Sequence, residues 1–380
     1  MLELAEQLAR WCAEGRAFAV ATVVSVSGSA PRQPGAGMAV DNEGTVVGSV
    51  SGGCVEAAVY EACRAAMASG RSELHRFGYS DEDAFAVGLT CGGSLEVFVR
   101  PVDPGDSGEW GTGLKRAAAV EVPAAVASVI AGPPGLVGRA LWLTGSDVAV
   151  GGFGDTVLDA AVQAEAAAFL EAGRTGTVEF GARGGLCGTP LRLLVESRAS
   201  PPRMLVFGAV DFAAAVVRVG KFLGCHVTVC DARPVFATAE RFPEADEVIG
   251  AWPHRYLDTQ TLDGRSLVCV LTHDPKFDIP LLSRALRLPV AYVGAMGSRR
   301  THDQRLALLR EAGVTEAQLA RLHSPIGLDL GARTPEETAV SIAAEIVAVR
   351  RGGTGTPLTG GVGPVHRRRA SDAARSPRFR

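Results

Sequence analysis

The sequence has eight cysteines but no pair of them spaced C-x-x-C. Neither a zinc knuckle nor a thioredoxin-type redox site is therefore indicated. It also lacks any apolar run of the roughly 18 residues that a membrane-spanning helix requires. Neither sign of charge is in large excess, and a formal net charge of −3 gives no basis for nucleic-acid binding. The opening MLELAEQLARWCAEG has no basic start or apolar run of a secretion signal; it places Leu4, Leu8 and Trp11 on one helical face. These absences predict a cytoplasmic protein with neither a membrane nor a nucleic acid as partner. In a reducing compartment most of its cysteines should be small buried hydrophobes.

What is present is enough apolar sequence, 47% of 380 residues, for more than one core. The first hundred residues read as helix, strand (AFAVATVVSV), a hairpin around DNEG, a helix from Cys54 to Ser69, and strands near ELHRF and SLEVFVRP. A glycine-rich stretch, DPGDSGEWGTG, reads as a linker. The same order then recurs without the first helix. AVATVV is echoed by AVASVI, and GCVEAAVYEACRAAMASGRSELHRFG is echoed without a gap by TVLDAAVQAEAAAFLEAGRTGTVEFG. GLTCGGSLEVFVRP is echoed by GLCGTPLRLLVES. After Pro201-Pro202, five apolar strands alternate with helical segments, the rhythm of a doubly wound parallel sheet. The fold class is α/β throughout: an N-terminal domain over residues 1–101, its degenerate second copy over 117–199, a Rossmann-like domain over 203–351, and a flexible tail over 352–380.

One turn resists a purely structural reading. In GSVSGGCVEAAVYEAC a helix opens on Gly52-Gly53-Cys54, where serine, aspartate or asparagine would be the ordinary cap. In the second copy the matching residues are Asp155, Thr156 and Val157, two capping residues and an ordinary core residue. If both copies fold alike, the frame does not need Gly-Gly-Cys, and a chemical role for Cys54 follows. A helix N-terminus favours a cysteine thiolate, and Gly52, Gly53, Gly92 and Gly93 would leave backbone amides open to a bulky anion. Cys91 is matched by Cys187 in the second copy, so part of its role is packing. Cys63, on the opposite side of the helix from Cys54, reads as core.

The third domain carries a broken phosphate fingerprint. G-x-G-x-x-G is replaced by Gly208-Ala209-Val210-Asp211-Phe212-Ala213, so ordinary NAD(P) binding is not expected. Asp231 nevertheless stands about 20 residues on, where an acidic residue would hold a ribose hydroxyl. Beyond the later strands lie His273 and Asp274, and then Gly297, Ser298, Arg299 and Arg300 in GAMGSRR, a combination suited to a phosphate. Asp329 and Arg333 lie in a loop before a helix opened by Thr334-Pro335-Glu336-Glu337, a capping box.

Taken together, SGSAPRQPGAGM, GSVSGGCVE and GLTCGGSLEVFV resemble the N-terminal motifs of the XdhC/CoxI family. VCDARPVFA, LTHDPKFD, YVGAMGSRR and SPIGLDLGARTPEETAVSIAAEIV resemble its C-terminal Rossmann-type domain. The resemblance implies a maturation factor, not a turnover enzyme. Such a factor would bind molybdenum cofactor and assist exchange of an oxo for a sulfido ligand with a cysteine desulfurase. It would then insert the product into a xanthine dehydrogenase-type or carbon monoxide dehydrogenase-type hydroxylase. By position, the two family cysteines are Cys54 and Cys91, as sulfur carriers or as thiolates near molybdenum, which favours soft ligands. A homodimer is a further assembly open to it. Two other readings stand beside this one: an NAD(P)-dependent oxidoreductase, resting on Asp231, and a scaffold that pairs a hydroxylase with its desulfurase.

Overall fold

The computed structural model describes residues 1–27, 32–78, 94–103, 108–119, 122–145, 149–180 and 190–359. They fall into two compact units that divide at Ser200 and Pro201.

The first unit opens with α1 (Ala5–Ala13), whose Leu8 and Trp11 are buried as their spacing predicts. There follow β1 (Phe18–Ser27), β2 (Gly37–Asp41), β3 (Val46–Gly48), α2 (Glu56–Ser69), β4 (Glu73–Gly78) and β5 (Ser94–Val102). The strands form an antiparallel sheet in the order β3-β2-β1-β5-β4. Alternation along β1 serves two cores: Ala19, Ala21 and Val23 pack with α2, while Phe18 and Val20 face the other way. That is why β1 reads as a continuous apolar run. The chain then builds α3 (Glu109–Ala117), β6 (Ala124–Ala131), β7 (Ala140–Thr144), β8 (Val150–Gly151), α4 (Thr156–Ala172), β9 (Gly176–Phe180) and β10 (Leu191–Arg198). Their sheet order, β8-β7-β6-β10-β9, repeats the first. Both sheets even carry a register shift at the matching place, Val24 in β1 and Ile130 in β6. These two residues meet Phe98 and Leu194 in one small shared core.

The repeat is more complete than the sequence suggested. Part of the stretch read as a linker is α3, which occupies the place of α1, so the second copy keeps its first helix. Its two internal glycines disguised it, since each costs about 1 kcal/mol of helix propensity. Gly113 is there for packing: a Cβ would sit 2.2 Å from the Trp142 ring. Trp11, Phe18, Trp110 and Trp142 form a chain of rings with centroids 5.5 to 6.4 Å apart between the two copies. Across the same interface Arg192 on β10 donates to Glu96 on β5 at 2.8 Å, two residues at equivalent positions of the repeat. Hydrogen bonding to Arg192 outweighs burial and holds the Glu96 carboxyl at about 2.

The second unit contains β11 (Arg203–Phe207), α5 (Asp211–Phe222), β12 (His226–Asp231), β13 (Glu247–Gly250), α6 (Pro253–Asp258), β14 (Leu267–Val270) and α7 (Pro275–Ala285). It continues with β15 (Tyr292–Ala295), α8 (Arg299–Glu311), α9 (Glu316–Leu319), β16 (Leu322–His323) and α10 (Pro335–Arg351). Its six strands are all parallel in the order β13-β12-β11-β14-β15-β16, the doubly wound arrangement expected. The two-residue β16 carries no apolar run and was not anticipated. The α10 capping box forms as read, Thr334 accepting from the Glu337 amide. Of the tail, residues 352–359 are described and exposed.

Candidate functional sites

The Gly-Gly-Cys turn lies between β3 and α2, and α2 begins at Glu56 rather than at Cys54. Gly52 and Gly53 adopt φ of +77° and +122°, a region that favours glycine. The turn is held from within by three side chains. Glu56 Oε1 accepts from Ser49 Oγ at 2.6 Å and from the Ser51 amide at 2.9 Å; Oε2 accepts from the Gly53 amide at 2.8 Å, the Val55 amide at 3.2 Å and Ser51 Oγ. Ser51 Oγ accepts from the amides of Cys54 and Val55, each at 3.0 Å, and Ser49 Oγ accepts from the Gly52 amide at 2.9 Å. All five amides from Ser51 to Val55 are thus already bonded. The expectation that Gly52 and Gly53 offer open amides to an anion is corrected here, because Glu56 fills that place with a carboxylate of the chain itself. Burial raises the Glu56 carboxyl, but the Ser49 and Ser51 bonds prevail and bring it to about 2.

Cys54 is half-buried, its side chain packed at the margin of the core that holds Val50, Val55 and Val59. No described residue stands within 4 Å of where a Gly53 Cβ would be. Cys63 is buried, and burial pushes its thiol up to about 12, in keeping with a core role. Cys91, Gly92, Gly93 and Cys187 lie outside the described residues. Among the described residues no group of three or more His, Cys, Asp or Glu is placed to hold a metal ion.

The second copy shows what the turn would be without this device. There α4 starts at Thr156, the position of Gly53, and Asp155 caps it by accepting from the amides of Val157 and Leu158. Asp159, the counterpart of Glu56, accepts from one amide, that of Phe153, at 2.7 Å. Val157, expected in the core, is instead 73% exposed. The matching place is exposed in the second copy, whereas in the first copy it carries a half-buried thiol.

In the second unit the sequence-read residues follow the carboxyl ends of the parallel strands, where ligands of such sheets bind. Gly208 (φ +111°) turns the chain after β11, with a Cβ there only 3.0 Å from the Thr272 amide nitrogen. Asp231, read as a ribose ligand, is buried and fully engaged. Its oxygens accept from the Ala209 amide at 2.8 Å, the Arg233 amide at 2.8 Å, and Arg233 Nε and Nη2 at 3.0 and 2.9 Å. Burial raises this carboxyl, but Arg233 and the Ala209 amide hold it below the usual range. A ribose would have to displace Arg233, so Asp231 acts as a clamp on the Gly208 turn. Asp274 caps α7, accepting from the Lys276 amide, while His273 is exposed. Ser298 caps α8 and is exposed with Arg299 and Arg300 in its first turn. Neither arginine pairs with a described carboxylate, leaving two cations at the positive end of a helix. Asp329 and Arg333 are exposed.

Several residues escaped the sequence reading. Ser49, Ser51 and Glu56 were signalled only by the spacing S-x-S-x-x-x-x-E, which is no standard cap. Behind GAMGSRR, Arg305 and Asp278 form a buried pair at 3.0 Å, and Arg305 also donates to the Met296 carbonyl at 2.8 Å and Ser324 Oγ at 2.9 Å. Burial raises the Asp278 carboxyl above its ordinary value despite Thr272 and Arg305. Polar residues scattered through apolar helices give no warning of such a pair.

Comparison with known proteins bears on both units. The family described as "XdhC and CoxI family" matches residues 11–78, and that described as "XdhC Rossmann domain" matches residues 204–346. Among relatives, the uncharacterized protein YqeB of Escherichia coli (strain K12) is 31% identical over 172 residues, 45% of this chain and 32% of YqeB, so the chain spans about a third of its length. A probable xanthine dehydrogenase subunit of Bacillus subtilis (strain 168) is 27% identical over 334 residues, 87% of this chain and 93% of that protein. The molybdenum cofactor insertion chaperone PaoD of Escherichia coli (strain K12) is 27% identical over 340 residues, 88% and 84% of the two chains. In fold, the chain matches a crystal structure of a xanthine dehydrogenase from Bacillus halodurans with a TM-score of 0.63 at 23% identity, over 94% of this chain and 98% of that one. With a matching N-terminal motif region, a matching Rossmann domain and relatives aligned along most of its length, the chain belongs to the XdhC and CoxI family.

Proposed function

We propose that this chain is a chaperone for molybdenum cofactor. It would bind the cofactor, support its sulfuration beside a cysteine desulfurase, and insert it into a molybdenum hydroxylase of the xanthine dehydrogenase or carbon monoxide dehydrogenase type. It would turn over no substrate of its own. The name of PaoD, a molybdenum cofactor insertion chaperone, and that of the Bacillus subtilis relative support this reading. The observation that carries it is Cys54, a half-buried thiol on a glycine turn whose Gly53 has no described residue within 4 Å of a Cβ position.

The donor chemistry fits the cofactor in one respect and restricts it in another. A thiol suits molybdenum, and among the described residues nothing crowds the Gly53 turn. The loop amides, all engaged, do not read the cofactor's anionic end. In the second unit, Ser298, Arg299 and Arg300 form a separate set whose guanidinium groups suit a phosphate. The cofactor supplies the molybdenum centre once it reaches its enzyme, while Cys54 keeps a sulfur atom at hand, with Cys91 as its partner in this proposal.

Anaerobic incubation with a cysteine desulfurase and molybdenum cofactor, followed by mass spectrometry of each cysteine, tests the reading. Sulfur or cofactor adducts concentrated on Cys54 are expected. An unmodified Cys54, with full maturation of a client hydroxylase by Cys54→Ala, would move the assignment to a scaffold that pairs hydroxylase and desulfurase.

A further inference from the structure

We infer that Glu56 is the positioning residue of the Cys54 site: its carboxylate ties the Gly52-Gly53-Cys54 loop into one conformation and thereby fixes where the thiol stands. The inference rests on the assignment of Cys54 as the cofactor's thiol.

Three observations carry it. Glu56 stands at the first residue of α2, yet its side chain turns back over the loop and takes five hydrogen bonds, three of them from backbone amides. Bonds to an ionised carboxylate are the strong kind. Second, the loop's own serines do not hold it alone: its glycines carry positive φ, and Ser49 and Ser51 take only the Gly52, Cys54 and Val55 amides. Remove the carboxylate and the amides of Ser51 and Gly53 lose their only acceptors shown, while Ser51 Oγ loses its orientation. Third, the second copy folds the same turn with Asp159 bonded to a single amide and a helix that begins three positions earlier. The fold alone therefore requires one carboxylate contact here; the remainder belongs to the copy that carries the thiol.

This arrangement also separates positioning from ligand recognition. Glu56 cannot contact an anionic cofactor favourably, so it acts through the loop. An oxygen-for-nitrogen exchange isolates that role, because Glu56→Gln keeps the size of the side chain but aims an NH2 group at donors. Ser51→Ala removes the second acceptor of the loop, and Ser51→Thr restores it.

The test combines hydrogen exchange of residues 49–56, iodoacetamide labelling of Cys54, and retention of molybdenum cofactor extracted from a purified hydroxylase, all on the full chain. In Glu56→Gln and Ser51→Ala, amide exchange and Cys54 labelling should accelerate at least tenfold and cofactor affinity should fall about tenfold. The thermal midpoint should also fall, since the loop loses charge-assisted hydrogen bonds, and Ser51→Thr should return exchange, labelling and affinity towards wild type. Exchange and labelling rates unchanged in Glu56→Gln would overturn the inference. So would a mobile loop in a variant that keeps wild-type affinity. A wild-type chain that never takes up cofactor would instead refute the assignment of Cys54, and the exchange and labelling data would still decide whether Glu56 holds the loop.

Discussion

At the scale of residues, two glycines of the Cys54 region are retained for different reasons. Gly48 has φ of +76° and would place a Cβ 2.3 Å from the Gly37 carbonyl oxygen, whereas Gly53 has φ of +122° with no described residue within 4 Å of a Cβ position. Gly48→Ala should therefore cost several kcal/mol through strain and clash together, and Gly53→Ala only about 1 kcal/mol through backbone strain. Urea unfolding of the two variants checks the order; equal midpoints would show that the turn relaxes freely. Much of this site was visible in the sequence. The oddity of Gly-Gly-Cys was visible because the repeat offered Asp-Thr-Val for comparison. The role of Glu56 was not, since a carboxylate that folds back from the first helical residue leaves no periodic trace. Neither was the exposure of Val157, because apolar character in an alanine-rich helix does not say which face is outward.

At the scale of elements, the second unit was legible for a simple reason. Its strands are apolar on both sides and spaced by helices, and only the very short β16 escaped notice. Its polar interior was not legible, and two ion pairs there make opposite use of burial. Asp231 and Arg233 lie at the end of β12 and lock the Gly208 turn, with Arg233 partly in solvent. Asp278 and Arg305 join α7 to α8, both buried. Removing Arg305 strands a carboxylate, so Arg305→Met should destabilise the chain by about 3–5 kcal/mol, and adding Asp278→Asn should recover part of that loss. Denaturant midpoints of the single and double variants measure the coupling; strictly additive losses would mean that the pair is not a unit. With Asp231 engaged, calorimetry should detect no heat on titration with NAD or NADP, and a clear micromolar isotherm would contradict the clamp.

At the scale of the whole molecule, the first unit is one fold built twice, and its two halves differ where chemistry is expected and agree where packing is required. The bulges and the sheet order agree. The contact between Glu96 and Arg192 joins equivalent positions with opposite charges. Because the Glu96 carboxyl is depressed in the folded chain to about 2, its stabilisation is complete above the unfolded value of about 4.3 and is lost as pH falls through about 2. The shift corresponds to roughly 3 kcal/mol, so Arg192→Met should move the acid-unfolding midpoint upward, and an unchanged midpoint would remove this pair from the account. The central claim, that one half has been adapted to carry molybdenum cofactor on Cys54, is tested most directly by cofactor content. Wild-type protein and Cys54→Ala should be purified anaerobically after exposure to the cofactor, and molybdenum and fluorescent pterin measured per chain. The account predicts both in the wild type at near-equal amounts and a loss of at least tenfold in the variant; equal content in the two proteins would contradict it.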